Sequence, residues 1–149
     1  MIYRNSLLRI LLLFFIIVSS KNNSLAQQND STQIAKAIDN YIVGWRTGDT
    51  DMLNKAFDRD AGLVLWVDKS GENEKLKSMK FSELLNDRKT NEGYGINYEV
   101  QSLNIIDSQI AIALVKIPKR DNHYIDCLEL QKINGDWKIV LKSFVYFKE

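Results

Sequence analysis

The dipeptide Asn134-Gly135 constrains the fold of this chain more than any other feature. It lies between two alternating apolar runs within HYIDCLELQKINGDWKIVLKSFVYF, residues 123–147. Both central residues of a tight primed turn need positive φ, and Asn-Gly tolerates that best, so the stretch reads as a β-hairpin with a two-residue turn. The register then follows. Ile133 pairs with Asp136, Trp137 faces Lys132, Ile139 faces Leu130 and Leu141 faces Leu128. The same face continues to Ser143 opposite Asp126 and Val145 opposite Tyr124. That face is apolar and belongs to the core. Asp126 sits on it, and a carboxylate there needs a hydrogen-bond partner or access to water.

Upstream of the hairpin the elements succeed one another in a simple order. Gln27 to Asp30 read as a disordered polar lead-in, and Asp30, Ser31 or Thr32 can cap a helix. Ile34, Ile38, Tyr41, Ile42 and Trp45 recur at steps of three and four, one apolar stripe on a helix of about 15 residues. Gly48 ends it. Thr50 can cap a short second helix that turns Met52, Leu53, Ala56 and Phe57 inward. Ala61 to Val67 reads as a strand and Lys69 to Lys75 as a polar loop. Leu76 to Met79 is a candidate short strand, and Ser82 can cap a third helix. Gly93 and Gly95 mark a loop, and Ile96 to Ile106 a long strand. Asp107-Ser108 turns it into Gln109 to Ile117, which Pro118 breaks. Helices gathered early and strands late define an α+β domain. Such an antiparallel sheet, long and strongly twisted, can curve around the long N-terminal helix and the two shorter ones and leave a pocket between them.

The N-terminus has a separate logic. Arg4 and Arg9 precede or flank an uninterrupted apolar run from Ile10 to Val18, and Ser24-Leu25-Ala26 supplies small residues at a cleavage site. Residues 1–26 are therefore expected to be a secretory signal peptide, and residues 27–149 a single domain in the periplasm or outside the cell. The apolar run falls short of the roughly 20 residues that a spanning helix needs, so no stable membrane anchor is expected after cleavage. At 45% hydrophobic and 26% charged residues the composition is that of an ordinary globular domain. The leader holds Arg4, Arg9 and Lys21 and no acid, which leaves the remainder slightly acidic. Nucleic acid is thus not an expected partner. A single cysteine, Cys127, allows no internal disulfide and reads as a buried, inert thiol.

Candidate ligand-binding residues follow from the shared face. Asp126, with Ser143 as its partner, is one polar handle. Tyr41, Trp45 and Trp66 can form aromatic walls, which suit a flat heterocycle or another apolar ligand. Plain core packing is the competing reading for the two tryptophans, and a satisfied structural acid for Asp126. His123, the lone histidine, falls on the face opposite Asp126 beside a turn. Asp58, Asp60 and Asp68 fit no metal-loop spacing, so no metal site is expected. No phosphate loop or nucleophile elbow is present, and no cofactor is expected.

The succession IDNYIVGWRTGDTDMLNKAFDRDAGLV, followed by YIDCLELQKINGDWKIVLKSF, resembles the nuclear transport factor 2-like (cystatin-like cone) superfamily. Within it the chain is most similar to the "putative lumazine-binding" group of small exported bacterial proteins. The resemblance spans nearly all of residues 27–149. It rests most on Gly48-Asp49, Phe57 with Asp60-Ala61, and Asp126 with Gly135-Asp136-Trp137-Lys138-Ile139. It implies a curved sheet on a long helix, a cone-shaped pocket, frequent dimers and pteridine- or flavin-like ligands. Ketosteroid isomerases of the superfamily place a tyrosine on the first helix seven residues ahead of the Gly-Asp pair, where Tyr41 stands. Their general-base aspartate matches Leu65, and the nearest acid, Asp68, lies three residues further on. The His-Asp pair of dehydratase and cyclase relatives has no counterpart, since His123 and Asp126 occupy opposite faces.

The sequence therefore reads as an exported cone domain that binds a small, partly apolar ligand without turnover. Two alternatives stay open. One is an isomerase- or dehydratase-like enzyme using Asp126 and Tyr41 as acid–base groups. The other is an interaction module whose sheet makes a homodimer or docks another exported protein. N-terminal sequencing of the exported form should begin at or within a few residues of Gln27, and an intact Met1 there would contradict the leader reading.

Overall fold

The computed structural model describes residues 27–70, 72–86 and 97–148. Helix α1 occupies residues 27–47 and is followed by α2 (Thr50–Ala56), β1 (Leu63–Asp68), β2 (Lys75–Lys80), α3 (Phe81–Asn86), β3 (Glu99–Ile106), β4 (Ile110–Lys119), β5 (Asn122–Ile133) and β6 (Asp136–Lys148). The strands form one six-stranded sheet in the order β2-β1-β6-β5-β4-β3. Neighbours are antiparallel except β1 and β6, which run parallel. The expected α+β architecture, an open curved sheet with helices packed against it, is what the chain adopts. Strand β2 emerges from the Leu76–Met79 stretch and lengthens the sheet at its β1 edge.

Periodicity explains α1. Ile34, Ala37, Ile38, Tyr41 and Ile42 form its buried stripe and press on the sheet's inner face. That face carries Ala111, Ala113, Val115 and Ile117 from β4, Leu128 and Leu130 from β5, and Trp137 and Ile139 from β6. Alternation in β4 and β5 sends every second residue inward, as a sheet with one covered face requires. Gly48 ends α1 at φ 83°, and Asp49 caps α2 by accepting from the backbone N–H groups of Asp51 and Met52. The cap is thus Asp49 and not Thr50, which is the first helical residue.

The start of α1 also departs from expectation. Residues 27–30 are helical, and Asp30 lies inside the helix with 1% of its surface exposed. It does not cap. Its Oδ1 accepts from Lys132 Nζ at 2.6 Å and from Trp137 Nε1 at 3.0 Å. Burial alone would raise the Asp30 pKa, but these donors together hold it below the ordinary carboxylate value. The pair ties the first turns of α1 to the end of the hairpin, so a polar residue at a stripe position became a tether. Pro118 likewise does not break β4. It pairs with His123 near the strand's end, and the strand runs on to Lys119.

The hairpin turn is as the sequence implies, with Asn134 at φ 53° and Gly135 at φ 90°. Ile133 pairs with Asp136, Lys132 with Trp137 and Leu130 with Ile139. There the expected register ends. The pairing slips between Leu130 and Glu129, so that Glu129 faces Leu141 and Leu128 faces Lys142. Val140 is the extra residue of a β-bulge, and a one-residue slip exchanges the two faces of everything beyond it. Leu128 with Leu141, Asp126 with Ser143 and Tyr124 with Val145 are therefore not partners. The observed pairs are Cys127 with Ser143, Asp126 with Phe144 and Tyr124 with Tyr146.

A Cβ at Gly135 would meet nothing within 4 Å, so substitution there costs only backbone strain. Gly135→Val should lower stability by about 1–2 kcal/mol, the penalty for holding a β-branched residue at positive φ. Chemical denaturation measures it, and an unchanged midpoint and slope would mean that the turn tolerates another geometry.

Candidate functional site

Past the bulge, β6 presents Lys142 and Phe144 to the inner face where an unbulged strand would present Ser143. The inner face widens there into a cavity of about 180 Å³. Tyr41, Ile42 and Trp45 of α1 line it on one side, with Val64 of β1 and Leu84 of α3. Ile117 of β4, Tyr124 and Asp126 of β5, and Lys142 and Phe144 of β6 form the sheet side. The walls are mainly aromatic and aliphatic, and the charged groups converge at one point.

That point is Asp126, which is 1% exposed. Its Oδ2 accepts from the Tyr41 hydroxyl at 2.6 Å, across 85 residues of sequence, and lies 3.0 Å from Lys142 Nζ. Its Oδ1 is buried and has no hydrogen-bond partner among the described residues. The Lys142 ammonium rests 4.2 Å from the Phe144 ring centroid and 5.8 Å from that of Tyr41, within reach of both ring quadrupoles. Burial pulls the Lys142 pKa below its usual value, against the opposing attraction of Asp126. An acid, a phenol and an amine thus share one buried oxygen at the cavity wall.

The residues expected from sequence fare unequally. Tyr41, Trp45 and Asp126 come together at the cavity, with Tyr41 and Trp45 edge-on at 6.4 Å between centroids. Trp66 faces inward but stands behind Phe144, stacked on it at 6.5 Å, and does not line the cavity. Ser143 is misplaced by the bulge. It pairs with Cys127 and with Leu65 on the far side of the sheet, and the polar partner at that depth is Lys142. Lys142 is the residue that simple alternation misses. Nothing in the composition of Ile139-Val140-Leu141 marks the slip, since β4 pairs with β5 through an equally apolar run, Ile110 to Val115, without one. His123 lies on the outer face, stacked on Phe147 with ring centroids 5.0 Å apart. Asp58 caps the turn to Asp60 and Ala61, and Asp68 pairs with Lys77 and Ser70, whose hydrogen bonds hold its pKa well below normal. Leu65, at the isomerase base position, supplies no carboxylate and faces away from the cavity.

This curved sheet over a long helix, with a cavity between them, defines a cone domain of the nuclear transport factor 2-like, cystatin-like class. The chain belongs to the family described as "Putative lumazine-binding", whose model matches residues 29–145. Among solved structures, a nuclear transport factor 2-like protein from Shewanella baltica superposes with a TM-score of 0.66 at 17% identity, covering 81% of this chain and 96% of its own. A cystatin-like fold protein from Burkholderia xenovorans superposes with a TM-score of 0.61 at 11% identity, covering 83% and 95%. A hexachlorocyclohexane dehydrochlorinase shares the fold with a TM-score of 0.55 at 13% identity, covering 83% and 88%. No curated protein matches the sequence.

The buried pair gives a direct test. Asp126→Ala strands the Lys142 ammonium without a counter-ion and should cost about 3–5 kcal/mol in urea denaturation. The double variant Asp126→Asn/Lys142→Met removes both charges at similar volume and should recover most of that loss. Equal destabilisation by the single and double variants would show that the charges are not coupled.

Proposed function

We propose that this protein is an exported binding protein for a small, partly apolar ligand held in the cavity between α1 and the sheet. The observation that carries the reading is Asp126 on the wall of an aromatic cavity, with its buried Oδ1 lacking a hydrogen-bond partner among the described residues. A carboxylate oxygen kept from both water and donors costs free energy that a ligand N–H or O–H recovers on binding. Lys142 Nζ, which has Asp126 as its one hydrogen-bonding partner among the described residues, offers further N–H donors next to it. A ligand edge with a donor beside an acceptor matches the two. The cavity, at about 180 Å³, lies below the roughly 300–1,000 Å³ of sites for drug-sized molecules, which favours a compound of one or two rings. A pteridine of the kind in the family's description meets both conditions. Export rests on the N-terminal leader, and binding without turnover rests on the missing base at Leu65.

Proton transfer is the second reading. The 2.6 Å bond between Tyr41 and Asp126 joins two titratable groups at the cavity wall, the minimum that acid–base chemistry needs. Pairing of two copies is compatible with either reading. The outer face of the sheet exposes Ile106, Ile110, Ile112, Val145 and Phe147, apolar side chains that a second copy could cover.

Native mass spectrometry of protein purified from its own host should show a retained small molecule. Leu84→Trp, which fills the cavity from α3, should abolish that mass while leaving the circular dichroism spectrum intact. A wild-type protein that retains nothing, and whose Tm lumazine does not raise, would sink the binding reading. Light scattering should report a dimer that Ile112→Lys converts to monomer; a monomeric wild type would rule out pairing through this face.

A further inference from the structure

Ligand binding alone does not require a lysine at position 142. A methionine would fill the same space without the desolvation that a buried ammonium incurs. Yet the Lys142 side chain, 10% exposed, ends on the cavity wall between Asp126 Oδ2 and the Phe144 ring. A buried amine beside a carboxylate that can take its proton becomes a nucleophile once it gives that proton up.

We propose that the cavity captures a small aldehyde or ketone covalently, as an imine on Lys142 Nζ, with Asp126 as the proton acceptor and donor. The proposal rests on the cavity being the ligand site and names the class of ligand it takes. The Lys142 ammonium first passes one proton to Asp126. The freed nitrogen lone pair then forms a bond to the carbonyl carbon, and the carbonyl oxygen takes up the proton to give a carbinolamine. A second proton moves from nitrogen through Asp126 to the hydroxyl, the C–O bond breaks, and water leaves as the C=N bond forms. The sum is ammonium plus carbonyl giving a protonated imine plus water, with Asp126 regenerated as carboxylate and no change of oxidation state.

Three features of the site favour this chemistry. Burial lowers the Lys142 pKa, so more of the amine is uncharged than at a surface lysine. The carboxylate that must accept the proton is 3.0 Å away. Asp126 Oδ1, which has no hydrogen-bond partner among the described residues, is the acceptor that would hold the carbinolamine hydroxyl before it departs as water. The aromatic walls from Tyr41, Trp45 and Phe144 favour a flat, conjugated carbonyl compound.

Benzaldehyde with sodium cyanoborohydride at neutral pH traps such an imine as a stable benzylamine, and peptide mass mapping locates it. Lys142 should be modified several-fold faster than the exposed Lys75 and Lys80. Lys142→Arg keeps a cation beside Asp126 but forms no such adduct, and should lose the fast phase alone. Benzyl alcohol, of the same size without the carbonyl, should raise the Tm and protect Lys142 from modification. Labelling of the exposed lysines with Lys142 untouched overturns the proposal. If benzyl alcohol still raises the Tm in that case, the cavity reading survives and only the covalent step falls. If neither compound engages the cavity, both fall.

Discussion

One extra residue, Val140, decides what the interior of this protein contains. Before it, β6 delivers Trp137 and Ile139 to the core; after it, the strand delivers Lys142 and Phe144. Without the slip, Leu141 and Ser143 would face α1 in place of Lys142 and Phe144, and Asp126 would have no cation beside it. With it, a lysine is forced inward at the level of Asp126, and the two charges must neutralise each other. Tyr41 completes the arrangement from the opposing helix. The ion pair, the tyrosine hydroxyl and the cavity beside them are consequences of one irregularity in a β-ladder.

The two ends of α1 are held to the sheet by different means. Near its start, Asp30 receives Lys132 and Trp137, a satisfied network that seals the helix against the hairpin turn. Towards its other end, Tyr41 and Trp45 meet a sheet face with a charge pair and space beside it. Both acids are 1% exposed, but among the described residues only Asp126 of the two keeps an oxygen without a hydrogen-bond partner. That difference separates a structural tether from a site with capacity left to bind.

Much of this was legible in the sequence because it depends on local chemistry. The Asn134-Gly135 turn, the pairing as far as Leu130 with Ile139, the stripe of α1 and the stop at Gly48 each follow from φ preferences and periodicity. Asp126 and Tyr41 could be placed on facing surfaces for the same reason. What stayed hidden depends on tertiary context. A bulge adds a residue without adding a signature residue, so Ser143 took the place that belongs to Lys142. Asp30 looked like a cap because short acids usually are, and its role appears only when Lys132 and Trp137 arrive from a hundred residues away. Trp66 was assigned to the right face, but its ring stacks behind Phe144, a relation that depends on sheet curvature.

The central claim is that the space beside Asp126 and Lys142 is a binding site. Titration of isotope-labelled protein with lumazine, followed by backbone and side-chain chemical shifts, addresses it most directly. Shifts should be largest at Tyr41, Trp45, Asp126, Lys142 and Phe144, with the Lys142 Nζ resonance among the first to move. Perturbations confined to the outer face around Ile112 and Val145, or none at concentrations that saturate any specific site, would contradict it.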